Sequence, residues 1–154
     1  MEIVDLLVPE GVAANLKSKS KKQALQELSG LAAKITGVHE RKIFDVLLER
    51  ERLGTTGVGQ GIAIPHGKLS ELDGIYGLFA RLEQPIDFES IDDQPVDLIF
   101  LLLAPESAGA DHLKALARIS RLLRDGNTCE KLRGTDDREA LFVLLTESAT
   151  NHAA

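Results

Sequence analysis

Apolar positions along this chain follow two rhythms, and the changes between them outline the elements. Ala24, Leu25, Leu28, Leu31, Ala32 and Ile35 share one helical face, and Gly37 marks its stop. Ser18 or Ser20 is placed to cap its start. A second helix is expected from about His39 to Leu53, with the broad apolar face Ile43, Phe44, Val46, Leu47 and Leu48, ending at Gly54. A third starts with Asp111 as N-cap, carries Leu113, Leu116, Ala117, Ser120 and Leu123, and ends at Gly126. Asn127 to Glu130 and Asp136 to Glu139 repeat a cap-to-glutamate spacing that opens two more helices, the last with Leu141, Leu144 and Leu145. The tail Ser148 to Ala154 is expected to fray.

The strand rhythm is clearest at Val96 to Leu103, a near-continuous apolar run between Pro95 and Pro105. Such a run reads as a central strand buried on both faces, so helices must cover both sides of its sheet. Gly74 to Leu82 reads as a second strand, Ile62 to Ile64 as a brief third, and Gly11 to Lys17 as a short fourth. Residues 1–10 read as a helical turn or lead-in ending at Pro9, and Pro85 to Asp93 as a loop. The pattern predicts an α/β fold in one domain spanning residues 1–154, its ordered core at about 5–147, with no repeat and no linker.

Composition narrows the function classes. The chain has 154 residues, 44% hydrophobic and 27% charged, with a net charge of −6. An acidic chain repels phosphate backbones, which disfavours a nucleic-acid partner. No apolar stretch is long enough to insert in a membrane, and the N-terminus has no signal-peptide pattern. The single Cys129 excludes an internal disulfide and fits a reducing cytoplasm. The lysines at 17, 19, 21 and 22 form a basic patch that reads first as a solvated face.

The candidate chemistry lies in Gly54 to Lys68. Four glycines in the eight residues from Gly54 to Gly61 precede Ile62-Ala63-Ile64 and then Pro65-His66-Gly67. This reads as a strand that presents one imidazole at its exit, with Gly67 free to turn the chain away. The nucleotide-binding alternatives fail on spacing. Gly61 is followed by five residues before Gly67-Lys68-Leu69, and Gly57, Gly59 and Gly61 give G-x-G-x-G after a helix. No local ligand spacing joins His66 and His112 into a metal site, and no cofactor is implied.

What remains is His66 as a nucleophile toward phosphorus or a plain surface histidine. Arg50 follows Leu47, Val46 and Ile43 on the helix, so it continues the buried stripe. Either it pairs with an acceptor such as Glu51, or it forms an anion site beside the glycines. Thr55, Thr56 and the loop amides would supply neutral donors to a phosphoryl group. The first turn of the helix holding His112 would add its positive end.

Glu51, six residues, Val58-Gly59, two residues, then Ile62-Ala63-Ile64-Pro65-His66-Gly67 resembles the signature of mannitol/fructose-type IIA domains of the bacterial phosphoenolpyruvate-dependent phosphotransferase system. Ile91 to Leu98 and Asp111-His112-Leu113 resemble its nitrogen-regulatory branch, IIA-Ntr. The resemblance implies a mixed sheet with helices on both faces. It implies His66 as phosphoryl acceptor on Nε2, from a histidine phosphocarrier protein of the HPr or NPr type. Arg50 then contacts the phosphoryl group and His112 lines the site. It also implies regulation of partner proteins by phosphorylation state. The alternative is a sugar-specific IIA that passes the group to a IIB protein.

Overall fold

A computed structural model describes the backbone of residues 1–153 and the side chains through Glu147. The chain runs α1 (Ile3–Leu6), β1 (Leu7–Leu16), α2 (Lys21–Thr36), α3 (Glu40–Arg52), β2 (Gly57–Gly59), β3 (Ile62–Ala63), β4 (His66–Lys68), β5 (Tyr76–Ile86) and β6 (Val96–Ala104). A 3-10 turn at Glu106–Ala108 leads to α4 (Ala110–Arg124), α5 (Gly126–Arg133) and α6 (Arg138–Ala153). The strands form one sheet in the order β1-β5-β6-β3-β2, with β4 also paired to β6. It is mixed: β5 runs antiparallel to β6, while β3 and β4 run parallel to it.

The apolar run at β6 is the centre of the molecule, with every residue from Leu98 to Ala104 buried. Alternate side chains of a strand point to opposite faces. Ile99, Leu101 and Leu103 accordingly join a core with Leu25, Leu28, Ile43 and Leu47 of α2 and α3. Leu98, Phe100 and Leu102 join a second core with Ile3, Ile119, Leu132, Leu141 and Leu145 from α1 and α4–α6. The expected two-sided α/β architecture is present.

Several local expectations change. β1 begins at Leu7, so Pro9 lies inside a strand. It is tolerated because β1 is the sheet's edge, where an absent amide leaves no ladder partner wanting. β5 likewise extends through Pro85 to Ile86, past an irregular stretch of pairing. Ser20 caps α2 by accepting from the Gln23 amide, whereas Ser18 bonds Glu27. Gly109, at φ 56°, is the N-cap of α4, and Asp111 falls in its first turn. Asp125 ends α4 and caps α5, so Gly126 and Asn127 lie inside α5. Asp137 rather than Asp136 caps the last helix, accepting from the Ala140 amide at 2.9 Å. The expected fray from Ser148 lies outside the described side chains, although the backbone of α6 continues to Ala153.

Candidate functional site

β3 and β4 lie along β6 in one continuous register, Ile62 against Leu98 and His66 against Leu102. Ile64 and Pro65 separate them, and the Leu102 amide still donates to the Pro65 carbonyl at 3.0 Å. His66 therefore opens a strand rather than closing one. Gly67 is needed for space and not for a turn. It has no positive φ, and a Cβ there would stand 2.5 Å from Val46 Cγ1 of α3. The close approach of α3 is what brings Arg50 to His66.

The half-buried His66 ring is held from both ends. Nδ1 lies 2.9 Å from the Ile64 carbonyl oxygen. A carbonyl only accepts, so Nδ1 carries the proton and Nε2 carries a lone pair. Arg50 Nε donates to that Nε2 at 3.3 Å, and Arg50 Nη1 donates to the Gly54 carbonyl at 2.9 Å. Burial holds the His66 pKa below its ordinary value, and the Arg50 charge adds to this. The Ile64 bond and the Glu51 charge oppose it. The imidazole is thus neutral near neutral pH, with its nucleophilic nitrogen facing a cation.

His112 is the third residue of α4, and its ring centroid lies 5.7 Å from that of His66. It is only 6% exposed, and its Nδ1 has no hydrogen-bond partner among the described residues. Burial lowers its pKa, helped by the His66 and Lys68 charges. The site therefore combines a nucleophilic nitrogen, a guanidinium and a second neutral imidazole at the start of a long helix.

Both threonine hydroxyls have partners within the protein. Thr55 Oγ1 donates to the Phe88 carbonyl at 2.9 Å and accepts from the Gly57 amide. The Thr56 hydroxyl donates to Glu51. Neither hydroxyl proton is left for a phosphoryl oxygen in this arrangement. Glu51 is not the acceptor of Arg50 either. It is buried, and Lys21 Nζ meets its Oε1 at 2.9 Å. Lys21 so leaves the expected solvated patch, also lying 4.8 Å over the Phe88 ring. Among the described residues no group of three or more His, Cys, Asp or Glu gathers as a metal set.

Over residues 5–148 the chain matches the family described as phosphoenolpyruvate-dependent sugar phosphotransferase system, EIIA 2. It belongs to this EIIA family. It is 64% identical over 145 residues to the nitrogen regulatory protein of Bradyrhizobium diazoefficiens, covering 94% of this chain and 95% of that one. With the nitrogen regulatory protein of Escherichia coli it shares 40% identity over 150 residues, 96% of this chain and 91% of that one. The crystal structure of IIA-Ntr from Neisseria meningitidis matches with a TM-score of 0.89 at 33% identity, covering 94% and 99%. Escherichia coli IIA mannitol shares the EIIA fold with a TM-score of 0.77 at 22% identity, covering 90% and 97%. The resemblance to the nitrogen branch agrees with these relatives. Among the described residues no helix of this EIIA chain is long and apolar enough to cross a membrane.

Proposed function

We propose that this EIIA protein takes a phosphoryl group on His66 Nε2 from a histidine phosphocarrier protein and regulates partner proteins according to its phosphorylation state. The observation that carries the reading is the pair of contacts on the imidazole, which fits one tautomer. Nδ1–H is held by the Ile64 carbonyl, so the lone pair on Nε2 faces outward toward Arg50. In the transfer that lone pair forms a new N–P bond while the N–P bond to the carrier's histidine breaks. The bonding electrons return to the carrier's nitrogen. No proton has to leave His66, because Nε2 carries none and Nδ1 keeps its own. Arg50 meets the charge on the equatorial oxygens, and His112 lines the site beside it.

The nitrogen regulatory relatives, matched nearly end to end, support a regulatory output over sugar uptake. A bound phosphate adds a charge of about −1.5 to −2 near neutrality, sufficient to alter a docking surface. The test is incubation with phosphoenolpyruvate, enzyme I and a phosphocarrier protein. The expected product is a single acid-labile phosphate that is absent from His66→Ala. Its absence from the wild type overturns the reading. Transfer onward to a IIB protein, with no partner distinguishing the two states, would favour the sugar-specific alternative.

A further inference from the structure

We infer that Glu51 is a positioning residue for His66, acting by diverting the Thr56 amide so that the Ile64 carbonyl is left for the imidazole. The inference rests on His66 Nε2 being the reactive atom. β2 and β3 pair antiparallel, with Gly57 opposite Ala63, which sets Thr56 opposite Ile64. A hydrogen-bonded antiparallel pair exchanges two bonds, each amide to the other's carbonyl. Here only one is made: the Ile64 amide donates to the Thr56 carbonyl at 3.0 Å. The Thr56 amide instead donates to Glu51 Oε1 at 3.0 Å, and the Thr56 hydroxyl donates to Oε2. The Ile64 carbonyl, deprived of its ladder partner, accepts from His66 Nδ1 at 2.9 Å.

A continuous series of bonds thus joins Lys21 to the reactive ring through Glu51, Thr56 and Ile64. Its interior is dry, with Thr56 at 3% exposure and the Glu51 side chain at 4%. A carboxylate so placed needs a cation, and Lys21 supplies it. Glu51 and Arg50 are neighbours on α3 with divided tasks. Arg50 addresses Nε2 directly, while Glu51 addresses Nδ1 through two backbone segments. If the Thr56 amide were released, it would compete with the imidazole for the one Ile64 oxygen. The ring would then lose its bias toward the tautomer with Nε2 free.

The test reads the His66 tautomer by imidazole nitrogen NMR in the unphosphorylated protein, so it is independent of phosphotransfer. In the wild type, a through-hydrogen-bond coupling is expected between His66 Nδ1 and the Ile64 carbonyl, and none from the Thr56 amide to that carbonyl. In the double variant Glu51→Leu/Lys21→Met, which leaves no lone buried charge, the Nε2–H tautomer should become populated. Phosphorylation at saturating carrier should slow roughly tenfold or more through misplacement of the ring, with little change in KM. Glu51→Gln retains an acceptor for the Thr56 amide and should keep the wild-type tautomer. An unchanged tautomer in the folded double variant overturns the inference. So does a Thr56-to-Ile64 coupling in the wild type, which decides the matter even where the double variant fails to fold. Failure of His66 to accept phosphate, with the tautomer behaving as expected, would overturn only the functional reading.

Discussion

At the scale of single residues, the site is governed by which nitrogen holds a proton. Burial and Arg50 keep the His66 pKa below the ordinary imidazole value. The rate of phosphorylation is therefore expected to stay level through neutral pH and to fall only on the acid side of that ordinary value. Stability follows the same sign, since the folded ring binds its proton less readily than the unfolded one. The contribution is complete above the unfolded pKa and is lost as pH falls toward the folded one. His112, lowered mainly by its own burial, adds in the same direction. Arg50→Ala removes a charge that disfavours the imidazolium, so the acid limb of the pH–rate profile should move to higher pH. It also removes a donor to the transferring group, and transfer should slow by roughly 100-fold. Thermal melting should change little, because among the described residues Arg50 bonds only His66 and the Gly54 carbonyl. A loss of fold in this variant would show that the guanidinium is structural.

At the scale of elements, the site depends on α3 lying close to β4. Gly67→Ala places a Cβ 2.5 Å from Val46 Cγ1. Overpacking of that kind costs about 1–3 kcal/mol, measurable by urea unfolding. Val46→Ala should recover part of the loss in the Gly67→Ala background, giving a non-additive cycle. Additive effects would mean that the two positions do not touch. This contact also shows where the sequence was legible. Glu51 to Gly67 singles out His66 as the candidate, and periodicity puts Arg50 on a helix ending beside the glycines. Nothing local reveals that Gly67 answers to Val46, or that Lys21 on α2 neutralises Glu51 on α3. Both are contacts between elements. The first part of the N-terminal strand, Leu7 to Glu10, was hidden by Pro9, which reads as a breaker until the strand is known to be an edge; the part from Gly11 on reads as a strand. The start of α4 was hidden because Gly109 caps it with backbone geometry and no side-chain bond. β6 was plain because burial on both faces from Leu98 to Ala104 leaves no polar position in that run to blur it.

At the scale of the whole molecule, β6 belongs to both hydrophobic cores, so neither helical layer has a floor of its own. Phe100→Ala, facing α1 and α4–α6, and Leu101→Ala, facing α2 and α3, should each destabilise by roughly 2–5 kcal/mol. Calorimetry of either variant should show one lowered transition. Two separate transitions would mean that the layers unfold independently. The same strand pairs with His66 through Leu102, which ties the imidazole to the most buried part of the fold. A charge arriving on such a ring meets a rigid surface and not a loop free to rearrange. Partners that distinguish the two forms would then do so by electrostatic potential more than by shape. Their discrimination should weaken as ionic strength rises and the screening length contracts from about 8 Å near physiological salt toward 3 Å at 1 M.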